Sequence, residues 1–142
     1  MNRIAYDDQF QAAVAEIRRI MTSAPNRMPP APIADPANHW LVERFQENQA
    51  ALRAGTARVC PHIGPSPIAS HTAAWCTDAL VCTACIGLLN PDERENAHCD
   101  RCRQPAPTLY SGAVARGPIL MAYGVCAPCT DETEPHPSTP TH

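Results

Sequence analysis

The feature that most limits how this chain can fold is a set of cysteines arranged in close pairs. All eight lie between residues 60 and 129, in Cys60-Pro-His62, Cys82-Thr-Ala-Cys85, Cys99-Asp-Arg-Cys102 and Cys126-Ala-Pro-Cys129, with Cys76 left alone. Two ligands two or three residues apart let one tight turn aim both at a single ion, and two such turns complete a closed tetrahedral zinc site. The four pairs therefore predict two structural zinc ions, with Cys60, His62, Cys82, Cys85, Cys99, Cys102, Cys126 and Cys129 as the ligands. One C-x2-C alone also occurs in redox motifs, but three of them with a C-x-H in one short segment point to metal.

Composition gives the metal a job. Leu, Ile, Val and Phe together number 23 of the 142 residues, below the level of roughly 20% at which a chain begins to look unable to bury a core. Small domains short of apolar area are completed by metals or disulfides, and structural zinc couples folding to binding. A disulfide framework fits less well. The opening residues, Met1-Asn-Arg-Ile-Ala-Tyr-Asp-Asp, contain no uninterrupted apolar run, so a reducing, cytoplasmic compartment is expected. Two cysteines separated by two residues are also a poor disulfide outside redox catalysts. No run approaches the roughly 18 apolar residues of a membrane span.

Residues 5 to 22 read as an amphipathic helix, with Phe10, Val14, Ile17 and Met21 on one stripe, Ala13 and Ile20 beside them, and Asp7 and Asp8 in the first turn. The stripe needs a partner: helix two, the zinc domain, a second copy in a homodimer, or a groove on another protein, for which the extended linker spaces the helix away and makes it the partner-specific contact. Four prolines between Ser23 and Ala34 end the helix and predict an extended, semi-rigid linker over residues 24–34. Asp35-Pro36 restarts helix as cap and first residue. Leu41, Phe45, Asn48 and Leu52 then share a face, with Trp40 as a packing anchor on its margin, and Gly55 terminates.

After His62 come a Gly64-Pro65-Ser66-Pro67 turn, a strand-like Ile68 to Trp75 and a second short strand, Ala79-Leu80-Val81, leading into Cys82. Cys82-x2-Cys85 opens a helical Ile86-Gly-Leu-Leu89. Asn90-Pro91-Asp92-Glu93 breaks it and caps a further turn through Ala97. Beyond Cys102, Thr108 to Val114 and Ile119 to Val125 flank an Arg116-Gly117-Pro118 turn, with Ile119, Met121, Tyr123 and Val125 alternating onto one face.

The order of ligand turn, hairpin, then a ligand pair at the start of a helix resembles the treble-clef zinc fingers, and the second half is similar to a zinc ribbon. The resemblance implies a small metal-bound α+β fold, two N-terminal helices followed by two zinc-binding treble-clef or ribbon units. The domains expected are 1–58 for the helices and linker, 59–130 for the double zinc domain, and 131–142 for an acidic, disordered tail. Three ligand pairings compete: sequential, cross-braced, and a middle-pair ribbon closed by the outer pairs. Residues 86 to 98 are poor strand material for the last. Sequential pairing puts hairpin-like sequence inside both loops and is favoured. A cross-brace would resemble RING or FYVE modules, but here the first pair is C-x-H where RING begins with C-x2-C. Cys76 has no neighbour with which to form a chelating turn, so His62 is preferred as ligand and Cys76 as a small buried residue. His71 reads as a half-buried strand residue, His98 coordinates only by displacing Cys99, and Trp75 is expected to shield the first zinc site.

Catalysis finds little support, because no H-x-E, H-E-x2-H or G-x-S-x-G occurs. Nor is there the βαβ pattern of a thioredoxin-like site around the C-x2-C pairs. The chain carries a formal charge of −3 with arginine as its sole strong base. Two zinc centres with seven thiolates and one imidazole bring it to about −6, against the basic stripe that phosphate binding needs. The reading is a non-catalytic protein-interaction or regulatory adaptor, with zinc-finger nucleic-acid binding through Arg94, Arg101, Arg103 and Arg116 as the alternative.

Overall fold

The computed structural model describes residues 3–23 and 39–133. The expected linker over 24–34, the Asp35-Pro36 cap and the tail beyond residue 133 lie outside them. In chain order the elements are α1 (Arg3–Ser23), α2 (His39–Ala54), β1 (Arg58–Val59), β2 (Ser70–Ala73), β3 (Cys76–Cys82), a 3-10 helix (Thr83–Leu89), a shorter one (Glu95–Ala97), β4 (Tyr110–Arg116), β5 (Ile119–Val125) and α3 (Ala127–Thr133). Because α1 begins at Arg3, Asp7 and Asp8 fall after its first turn, not in it. The helix of α3 runs through Asp131 and Glu132, into the segment expected to be disordered.

The two hairpins share one five-stranded sheet of order β1-β3-β2-β5-β4. Each hairpin is antiparallel, and a parallel seam joins them, Ser70 to Ile119 through Ala73 to Ala122. The turn of the second hairpin needs a left-handed residue, supplied by Gly117 with φ of 60°.

Strand alternation decides which helix covers which face. Val114, Met121 and Tyr123 point one way, where Leu41 and Phe45 of α2 pack on them. Ala113 and Leu120 point the other way, with Ala69, and there Ile17 of α1 packs. The apolar stripe of α1 is therefore spent on the sheet: Ile17 and Ala13 are buried. Each fully buried large side chain of this kind contributes about 1.5–3 kcal/mol, so both helices belong to the core. Gly55, with φ of 73°, ends α2 while Thr56 N–H reaches back to the Ala51 carbonyl. Asp92 and Glu95 cap each other reciprocally, Asp92 N–H to Glu95 Oε1 and Glu95 N–H to Asp92 Oδ1. Among the described residues no helix is long and apolar enough to cross a membrane.

Candidate metal centres

The first cluster joins the turn after β1 to the end of β3. Cys60 and His62 come from the turn, Cys82 ends the strand, and Cys85 sits in the 3-10 helix that follows. The second joins the turn at Cys99 and Cys102 to Cys126 and Cys129, at the start of α3. In each cluster one ligand atom per residue lies within 4.8 Å of the other three. The chain thus groups the first pair with the second and the third with the fourth.

The distances fit a tetrahedral ion. Zinc bonds of about 2.3 Å to sulfur and about 2.0 Å to nitrogen imply ligand–ligand edges of about 3.8 Å for S···S and about 3.5 Å for S···N. Cys102 Sγ and Cys126 Sγ are 3.8 Å apart, and His62 Nδ1 stands 3.6 Å from Cys82 Sγ and 3.3 Å from Cys85 Sγ. Both clusters are compatible with a bound metal ion, and thiolate with imidazole is the donor chemistry of zinc.

Backbone amides prepare the thiolates. Cys82 N–H donates to Cys60 Sγ at 3.3 Å and Cys102 N–H to Cys99 Sγ at 3.5 Å. Burial pushes the Cys60 thiol up, but the Cys82 amide and the His62 contacts outweigh it and bring it down to about 6. For Cys99 burial is likewise overcome, by the amides of Cys102, Cys126 and Arg101, and the thiol comes down to about 7. Burial and hydrogen bonding to neighbouring thiols raise Cys85 to about 11 and raise Cys129 as well. Each cluster therefore holds one thiol ready to ionise beside others whose charge needs a cation.

The second ligand turn is tied to the sheet. Asp100 N–H donates to the Gly124 carbonyl at 2.9 Å, and Gly124 N–H donates back to Asp100 Oδ2 at 2.7 Å. Burial lifts the Asp100 carboxyl to about 6, against the Gly124 amide and the charges of Arg103 and Arg44. Arg103 closes the turn with φ of 66°, a left-handed conformation uncommon for a residue with a side chain. Its amide donates to the Cys99 carbonyl at 2.9 Å.

The residues left over by the ligand pattern go elsewhere. Cys76 is outside both clusters and half-buried instead of buried, beside the exposed pair Arg58 and Asp78. Its Sγ accepts from Arg58 Nη2 at 2.8 Å and lies 3.5 Å from Asp78 Oδ1. His71 is buried in β2, with Nε2 2.9 Å from Thr83 Oγ1. His98 Nδ1 donates to the Arg94 carbonyl at 2.8 Å. Trp75 does not shield the first cluster. Its indole donates to the Leu89 carbonyl at 2.7 Å, and the cluster is packed by Ile63, Ile68, Ala79, Val81 and Leu89.

It is Trp40 that packs beside one of the two ligand clusters, against Cys99, Val125 and Cys129, with its ring 5.8 Å from that of Tyr123. Sequence reading missed this, as it missed Asp100, because nothing in the local pattern at either residue names a partner so far along the chain. No family model matches this chain, and no curated protein or solved structure does either.

Proposed function

We propose that this protein is a non-catalytic zinc module that serves as an adaptor, presenting a fixed surface to another protein. The observation that carries the reading is the closed donor set of each cluster, four ligand atoms mutually within 4.8 Å. A catalytic zinc keeps one position open for water or substrate, and four protein donors leave none. In both halves a ligand turn, a hairpin and a ligand pair at the start of a helical segment follow in order, which supports a treble-clef description of each unit.

Protein is the partner favoured by charge. Arg44 pairs with Glu47 and Arg58 with Asp78 among the described residues, and zinc loading makes the net charge more negative. Exposed Ile86, Leu88 and Tyr110 add apolar contact surface. Native mass spectrometry of chelator-free protein is expected to show two zinc ions and no disulfide. Titration with nonspecific duplex DNA at two salt concentrations is expected to show no binding. A metal-free, disulfide-bonded chain with the same fold would end the zinc reading. Duplex binding that weakens steeply with salt would replace the adaptor by a nucleic-acid module.

A further inference from the structure

The two ligand clusters turn different atoms toward solvent. In the first, the exposed donor is the His62 imidazole, while Cys60 and Cys82 are buried and Cys85 is half-buried. In the second, the exposed donor is the Cys102 thiol. Half-buried Cys126 stands beside it, with 3.8 Å between the two sulfurs, and Cys99 and Cys129 are buried. A groove of about 720 Å3 opens onto Cys102 and Cys126. Its walls are the chain on either side of the cluster, with Gln104, Pro105 and Thr108 on one side and Ala127 and Pro128 on the other.

Chemistry separates the clusters in the same direction as access. Peroxide oxidises thiolate sulfur far more readily than imidazole nitrogen, and susceptibility follows thiolate character and exposure. Four thiolates on one divalent ion also leave the second centre more negative than three thiolates and an imidazole leave the first. A sulfenic acid formed at an exposed cysteine needs a neighbouring thiol to resolve it. For Cys102 that neighbour is Cys126, already in place. In the first cluster the accessible neighbour of Cys85 is His62, with Nδ1 at 3.3 Å from its sulfur, and the other two thiols lie inside.

We propose that Cys102 and Cys126 are a peroxide-sensitive modification site, at which oxidation to a disulfide releases the second cluster's zinc while the first cluster keeps its own. The Cys102 thiolate attacks one oxygen of hydrogen peroxide; an S–O bond forms, the O–O bond breaks and hydroxide leaves. The Cys126 thiolate then attacks Cys102 Sγ; the S–S bond forms, the S–O bond breaks and a second hydroxide leaves. The two sulfurs together lose two electrons and the peroxide gains them. Cys99 and Cys129 remain, two donors where a closed zinc site has four. The surface altered is the groove, because both of its walls are held by these ligands. The proposal rests on the zinc loading of the function proposed above and adds a control on it.

The test is graded hydrogen peroxide treatment of the full chain with zinc at both clusters, followed by native mass spectrometry and peptide mapping of disulfides. One zinc is expected to leave first, with the link at Cys102–Cys126, and the other about tenfold more slowly or less. A thiol reductant with added zinc is expected to restore the fully loaded mass. Two exchanges of donor type test the cause. Cys102→His keeps four donors in the second cluster and is expected to slow its loss to the rate of the first. His62→Cys exposes a thiol in the first cluster and is expected to speed its loss by about tenfold. If Cys102→His does not load its second cluster, His62→Cys decides alone. Equal loss from both clusters, a first link that omits Cys102 or Cys126, or rates that neither exchange moves overturn the proposal. A chain that never takes up zinc sinks the zinc reading and this proposal with it, whereas two bound zinc ions released together overturn the proposal alone.

Discussion

Asn48 holds α2 to the hairpin that ends in Cys82, and removing its amide is expected to cost far more than an ordinary helix substitution. It is fully buried, and Nδ2 donates to the Thr77 carbonyl at 2.8 Å, the Ala79 carbonyl at 3.1 Å and Thr72 Oγ1 at 3.3 Å. Two amide hydrogens serve three acceptors, so one hydrogen is shared. Asn48→Ala deletes bonds worth about 0.5–1.5 kcal/mol each and strands buried acceptors at about 1–3 kcal/mol. Alanine's better helix propensity returns about 0.5 kcal/mol. The expected loss is about 2–4 kcal/mol. Asn48→Asp should cost more, because it replaces the donor with an acceptor facing two carbonyl oxygens. The assay is urea unfolding of the zinc-loaded chain at one fixed free-zinc concentration, since metal binding shifts apparent stability by mass action. An unchanged slope with a lower midpoint marks a change in stability alone. A loss below about 0.5 kcal/mol for Asn48→Ala, or an Asp variant no worse than the Ala variant, would refute the reasoning.

Gly112→Ala is expected to destabilise by about 1–3 kcal/mol, because its Cβ would stand 2.4 Å from Cζ of the buried Tyr123 ring. Gly124→Ala, whose nearest neighbour is Leu109 Cβ at 3.6 Å, should stay within about 0.5 kcal/mol in the same urea experiment. His62→Ala should lose one zinc by native mass spectrometry while Cys76→Ser keeps both, and the reverse pattern would reassign the ligands. For the chelated protein, thermal melting followed across pH reads the thiols. Cys60 is lowered to about 6 and Cys99 to about 7 from an ordinary value near 9, so their stabilisation is present above pH 9 and lost as pH falls through those values. Cys85, raised to about 11, contributes stability below pH 9 that is lost as pH rises toward 11. Melting temperature should therefore peak near pH 9, and a monotonic fall from pH 6 upward would contradict the amide-to-sulfur bonds.

What could be read from the sequence was what depends on near neighbours. The paired ligand positions, the turn at Gly117, the break and cap at Asn90-Pro91-Asp92-Glu93, and the apolar stripes of both helices all follow from spacing of a few residues. What escaped depends on contacts between distant segments. Treating the halves as separate units hid the parallel seam, because a four-residue strand such as Ser70–Ala73 says nothing about its second edge. Trp40 packs as the anchor its position suggested, but that it covers the second cluster, and that Trp75 does not cover the first, was not legible for the same reason: aromatic residues announce burial but not which cluster they will cover. Asn48 looked like one more position on an apolar face, and only the hairpin carbonyls folded against it explain an amide there.

The parallel seam also sets a clock on synthesis. β2 finds one neighbour soon after it is made, but the other edge of Ser70–Ala73 must wait for Ile119–Ala122, about 50 residues and roughly 2.5–10 s later at the usual pace of translation. During that interval the first half carries an open strand edge of the kind that recruits other chains. Zinc captured early by Cys60, His62, Cys82 and Cys85 would anchor both ends of the first hairpin while the ribosome completes its missing neighbour. Limited metal during translation should therefore appear first as aggregated nascent chains, ahead of any deficit in the finished protein.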